Sequence, residues 1–219
     1  MPAAQKETSK NTAKNKPKVH LHQGDLPKNV KFGNSIAIDT EAMGLNNQRD
    51  RLCLVQLSAG DGDAHLVQIP TGKVVAPNLK ALLTDAKVTK LFHFARFDVA
   101  ILQHNLSIDI KNIYCTKIAS RLCRTYTDKH SLATLCRDLL GVELNKQQQS
   151  TDWGNATLTK EQLVYAADDV LYLHRIRQTL DEMLLREDRM KLAQSCFDFL
   201  PTRAHLDTQG WPEIDIFAH

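Results

Sequence analysis

The chain has 219 residues, 42% of them hydrophobic and 24% charged, which excludes disorder throughout and leaves enough chain for a full core. No apolar run approaches the roughly 20 residues of a membrane-spanning helix, and the Lys-rich N-terminus has no apolar segment of the kind a secretory leader needs, so a cytoplasmic protein without membrane association is expected. The net charge is +3, but Lys6, Lys10, Lys14, Lys16 and Lys18 stand against Glu7 alone in residues 1–18; the remainder is close to neutral and is no basic clamp for long duplexes.

Residues 1–18 hold no aromatic residue and read as a disordered Lys-rich tail, with one domain over 19–219. Ser35 to Thr40 reads as a short buried strand and Arg51 to Leu57 as a second. Gly60-Asp61-Gly62 turns the chain into a return strand over Ala64–Ile69. A short helix follows Pro77, then a strand over Lys90–His93 and a helix over Arg96–His104. Helices are expected over Thr116–Leu122 and over Ser131–Leu140, the latter ended by Gly141. Thr159 with Gln162 three residues on is a capping box, and the helix that it starts is expected to run to Leu185. A last helix spans Glu187–Phe199, stopped by Pro201. Strands followed by helices predict an α/β or α+β domain with a mixed sheet. The five cysteines form no C-x-x-C pair, and their apolar surroundings fit small buried hydrophobes in a reducing compartment.

Three acidic sites carry the chemistry. Asp39 and Glu41 are two apart at the end of an apolar strand, so both project to one side; alone, such a pair equally fits a turn or cap. Asp98 falls in the first turn of a helix, where a carboxylate also simply favours the helix dipole. Tyr165 and Asp169 are four apart and share a helix face, slimmed by Ala166 and Ala167; Asp168 points about 100° away. Converged, four carboxylates suit one site for hard cations such as Mg²⁺ or Mn²⁺, because like charges brought together without metal oppose one another's ionisation.

Asp39-x-Glu41, Asp98 and Tyr165-x-x-x-Asp169 resemble, in order, spacing and flanking residues, the three motifs of the DEDDy branch of the DnaQ/RNase D exonuclease superfamily. The stretch Lys146 to Trp153 with Leu158 is similar to the RNase D pattern. Further segments resemble a compact bacterial group of that branch: Asp50–Ser58, Phe92–Asp98, Cys115–Ser120, Arg124–Asp128 and Trp211–His219. The resemblance implies an RNase H-like (DnaQ-like) α/β fold with a mixed central sheet flanked by helices. It implies 3′–5′ hydrolysis of short oligoribonucleotides, dinucleotides above all, with two divalent cations, Mg²⁺ or Mn²⁺, per site. Asp39 would bridge both ions, Glu41 and Asp169 would complete the water-activating one, Asp98 would support the other, and Tyr165 would orient water.

The family also implies a leucine wedge between terminal bases, matched by Leu45 beside Met43; an ordinary loop or core leucine is the alternative. His93 and Phe94 would touch base or sugar, against a simple buried strand end. Lys146, Gln149 and Ser150 would bind phosphate, against a plain polar loop. A homo-octamer is implied as well. A general exonuclease on longer RNA or DNA, or an inactive nucleic-acid-binding scaffold, are the competing functions.

Overall fold

The computed structural model describes residues 17–144, 148 and 151–219. The expected tail therefore lies almost wholly outside the described residues, as do Lys146, Gln149 and Ser150.

Among the described residues six strands form one sheet: β1 (Val19–Gln23), β2 (Ser35–Ala42), β3 (Leu52–Ser58), β4 (Ala64–Gln68), β5 (Thr89–Phe92) and β6 (Ile113–Cys115), in the order β1-β4-β3-β2-β5-β6. Strands β2, β3 and β4 form an antiparallel meander, while β1, β5 and β6 join in parallel, so the expected mixed sheet is present. Every residue of β3 is buried, as its apolar run demands of a strand covered on both faces. The two edge strands β1 and β6 had no signal in the sequence reading. β6 is three residues long and shows no period, and β1 holds its place by pairing with β4 rather than by an apolar pattern of its own.

The helices are α1 (Pro77–Thr84), α2 (Ala95–Leu106), α3 (Thr116–Cys123), α4 (Leu132–Leu140), α5 (Lys160–Leu171), α6 (Leu173–Arg186) and α7 (Met190–Thr208). Gly141 ends α4 at φ 66°, a left-handed cap that glycine adopts without strain. The capping box of α5 is formed in full: Thr159 accepts from the Gln162 N–H and Gln162 reaches back to the Thr159 N–H. Thr159→Ala removes one half of it and is expected to cost about 1 kcal/mol, which a melting experiment would read as a fall of roughly 2–4 °C.

Two helical expectations need correction. The helix begun at Thr159 does not run unbroken to Leu185; it breaks at Tyr172, which closes α5 and opens α6. No proline or glycine causes this. α5 lies on the sheet with Ala166, Ala167 and Val170 buried, whereas α6 turns its Leu173, Ile176, Leu180 and Leu184 toward α3 and α4, and one straight axis serves only one of these surfaces. Nor does Pro201 stop the last helix, since α7 continues through it to Thr208. Beyond the proline, buried Ala204 packs against the core. Buried Asp207 takes Arg96 at 2.6 Å and Arg203 at 2.7 Å, and these contacts offset the hydrogen bond that proline forfeits.

The main core lies between the sheet and α2, α3, α6 and α7; a smaller cluster of Cys53, Leu54, Leu66, Trp153, Leu158 and Ala166 seals α5 against the other face. Four cysteines are buried, Cys196 is half-buried, and none is paired, as expected. Among the described residues no helix is long and apolar enough to cross a membrane.

Candidate active site

β2 is central in the sheet, but β5 pairs only with its first three residues, Ser35 to Ala37. Beyond Ala37 one edge of β2 is bare, and the first turn of α2 enters there. The other side of the same strand end faces α5. The expected carboxylates thus reach one strand end from three elements.

Asp39, Glu41 and Asp169 each offer an oxygen within 4.8 Å of the others. The i, i+2 spacing on β2 and the slim Ala166-Ala167 segment of α5 produce this approach, as the spacing predicts. Asp98 does not belong to that triad. It is buried at the start of α2, and its Oδ1 accepts a 2.7 Å hydrogen bond from the Thr40 hydroxyl. Asp168 points elsewhere and stays out of the cluster.

Burial and mutual repulsion dominate the electrostatics. Desolvation, then Asp39, push Glu41 up to about 10. Desolvation and the neighbouring carboxylates hold Asp39 and Asp169 well above the usual range. Burial lifts Asp98 to about 7, with the Thr40 hydroxyl opposing the rise. Burial and the nearby Asp169 also raise Tyr165, so its phenol stays protonated across the physiological range. Among the described residues no lysine, arginine or histidine forms a salt bridge to any of the four carboxylates. Four carboxyls gathered in a half-buried site with no organic cation are chemically incomplete, and an oxygen-seeking divalent ion is the group that completes them.

The triad opens into a cleft of about 660 Å³. Met43, Leu45, His93 and Phe94 all line it, as do Lys117, Trp153 and Tyr165. Leu45 is 87% exposed, which removes the reading of it as a core leucine. Its loop is held by Asp50, which accepts from the Asn46 N–H at 2.9 Å; a Cβ on Gly44 would lie 2.3 Å from the Asp50 carboxylate, so only glycine permits that fold. Phe94 is also exposed and adopts φ 67°, uncommon for a bulky residue, with the Lys117 ammonium 4.1 Å from its ring centroid. His93 is half-buried: its Nδ1 lies 2.9 Å from the Thr116 hydroxyl, and burial with Lys117 lowers it to about 3, so it serves as a neutral ring.

Several site residues escaped sequence reasoning. Fully buried Gln56 pairs across the strands with Asp39, and its Nε2 lies 3.4 Å from the Asp39 carboxylate. The available signal was one amide in an otherwise apolar strand. Thr40 and Lys117 had no signal of their own. Trp153, noted only as part of a pattern, packs 6.1 Å from the Tyr165 ring.

A mixed sheet that gathers four carboxylates and a tyrosine at the end of its central strand defines a DnaQ-like 3′–5′ exonuclease. The family model described as 3′–5′ exonuclease matches residues 24–185, and the chain belongs to that family. Among solved structures, Brucella melitensis NrnC bound to pGG superposes with a TM-score of 0.90 at 51% identity, covering 93% of this chain and 99% of that one. The same Brucella protein with bound Mg²⁺ gives 0.89 at 50% identity, over 92% and 99%. Ribonuclease D of Gluconacetobacter diazotrophicus is 32% identical over 155 residues; the match takes 71% of this chain but 39% of the relative, so the chain spans about two fifths of the length of that curated relative.

Proposed function

We propose that this chain is a metal-dependent 3′–5′ exoribonuclease acting on short oligoribonucleotides, preferentially 5′-phosphorylated dinucleotides, and releasing nucleoside 5′-monophosphates. The observation that carries it is the uncompensated carboxylate triad opening into a cleft walled by exposed apolar side chains. The similarity to a protein whose structure was solved with pGG supports the dinucleotide preference.

Asp39, Glu41 and Asp169 would hold one divalent cation, with Asp98 beside Asp39 supporting a second; Mg²⁺ and Mn²⁺ both suit these oxygens. Bound there, the cations supply a nucleophilic water and stabilise charge on the scissile phosphate. The chain's residues do the rest. Tyr165, protonated, orients the attacking water by hydrogen bond and moves no proton. Leu45 and Met43 offer apolar surface to the terminal bases, and Phe94 a ring face. His93, neutral and anchored by Thr116, offers a hydrogen bond without charge. Lys146, Gln149 and Ser150 are assigned to the substrate phosphate on the strength of the resemblance alone.

Leu45→Ala is expected to raise the KM for a dinucleotide roughly tenfold, with kcat nearly kept and folding unchanged, since the lost apolar contact is worth about 1.4 kcal/mol. A second copy would suit the exposed Trp211, Ile214, Ile216 and Phe217 of the C-terminal segment, and the same reading includes the homo-octamer, checked by light scattering. Four buried, unpaired cysteines support a cytoplasmic setting.

The deciding experiment digests 5′-labelled RNAs of two to ten nucleotides with Mg²⁺, with Mn²⁺ and with chelator. Fast metal-dependent cleavage of the dinucleotide and slow decay of longer chains is the expected result. Equal rates at every length would reduce the chain to a general exonuclease, and no cleavage would overturn the enzyme assignment.

A further inference from the structure

We propose that Thr40 is a positioning residue for cation binding: its hydroxyl pins Asp98 against the strand that carries Asp39 and Glu41. This rests on the metal-dependent reading above and deepens it. Strand alternation puts Thr40 on the face of β2 opposite its two acidic neighbours. It pairs across the strands with Val55, a residue of the main core, and not with the small cluster under α5. Asp98 arrives on α2 along the bare edge of β2, and Thr40 meets it there.

The contact is 2.7 Å long, and both residues are buried, Thr40 at 7% and Asp98 at 4% exposure. No basic side chain among the described residues shares the carboxylate. A neutral donor holds one oxygen of Asp98 and brings no positive charge of its own, so it does not compete with a cation for the carboxyl group. An arginine in the same place would compete with the ion. Threonine also does this better than a flexible donor, because its β-branched side chain has few rotamers. Asp98 stands outside the triad of mutually close oxygens, so its aim depends on whatever fixes its side chain, and among the described residues the Thr40 hydroxyl is the side-chain donor that bonds it. Outer partners of this kind orient metal ligands, and losing one weakens metal affinity about 10- to 100-fold.

The test titrates Mn²⁺ into the metal-free full chain by calorimetry, without substrate. It compares wild type, Thr40→Val, Thr40→Ser, Asp98→Asn and the Thr40→Val/Asp98→Asn double variant. Thermal melts check folding. Asp98→Asn is expected to weaken or remove one of the cation equivalents. Thr40→Val should weaken that same equivalent about 10- to 100-fold and leave the other unchanged, while Thr40→Ser restores it. Adding Thr40→Val to Asp98→Asn should change nothing, since the hydroxyl acts through the carboxylate. In turnover, the valine chain should need more metal for half-maximal rate while the KM for dinucleotide stays put.

Wild-type Mn²⁺ binding by Thr40→Val, or an equal loss on the Asp98→Asn background, overturns the role of Thr40. Wild-type binding by Asp98→Asn removes the role of Asp98 in metal binding and this inference with it. Should the valine chain not fold, Thr40→Ala against Thr40→Ser makes the same comparison.

Discussion

An Asp39→Ala chain is expected to lose at least about 10³-fold in turnover while folding as the wild type does. Removal of a single oxyanion-hole donor elsewhere costs about 10²–10³ in kcat; Asp39 is at the centre of the cluster and should cost more. Its carboxylate adds repulsion to Glu41 and Asp169, and Gln56 is its neutral neighbour across the strand. On the proposed reading, deleting it would remove the anchor for the cation and relieve the crowding of buried carboxyls at once. A single-turnover assay with labelled dinucleotide, read beside a melting curve in chelator, checks both. Retained activity would exclude the two-cation reading; retained folding with lost activity would exclude the inactive scaffold.

The second large effect is a loss of stability with rising pH that bound metal abolishes. Glu41 is held above its ordinary value, at about 10 against 4.5. A carboxyl raised in this way contributes stability while protonated, in full below its unfolded pKa, and that contribution is lost as pH climbs toward the folded value. In chelator, the wild type should therefore lose stability relative to Glu41→Gln between pH 5 and pH 9. Discounted for partial exposure, the difference is about 2–3 kcal/mol, roughly 5–10 °C in melting temperature. Comparison with the glutamine variant removes the contributions of His93 and Lys90, whose lowered values act with the opposite sign and are common to both chains. Saturating Mg²⁺ should erase the wild-type loss, since binding draws on the deprotonated carboxylates, and should do little for Glu41→Gln. Parallel pH profiles of the two chains in chelator would contradict the assignment of Glu41 to the cluster.

Both effects depend on residues of different legibility. Asp39 and Glu41 could be paired from the sequence because strand alternation is a local rule. Tyr165 and Asp169 could be paired because the helical turn is another. Leu45 was visible as a leucine after the acidic motif, but its 87% exposure depends on Asp50 folding the loop back where Gly44 lacks a side chain. Gln56 reaches Asp39 from the neighbouring strand and Thr40 reaches Asp98 58 residues further along the chain, and no local pattern in the sequence announces either contact.

Elements whose causes lie within one turn or one strand were legible in the chain: the buried run of β3, the Gly141 stop, the capping box at Thr159, and the spacing of the acidic motifs. The tertiary structure alone decided where helices bend or persist. Tyr172 splits one periodic stretch because its halves pack on different surfaces, and Pro201 fails to end α7 because Asp207 is held by Arg96 and Arg203. It also decided which oxygen faces which. Asp39 and Asp169 are 130 residues apart in the chain, and the gathering of their charges is stabilised by the packing of α5, through its Ala166, on Leu54 and Leu66 of the sheet, a long-range packing energy that no local pattern encodes.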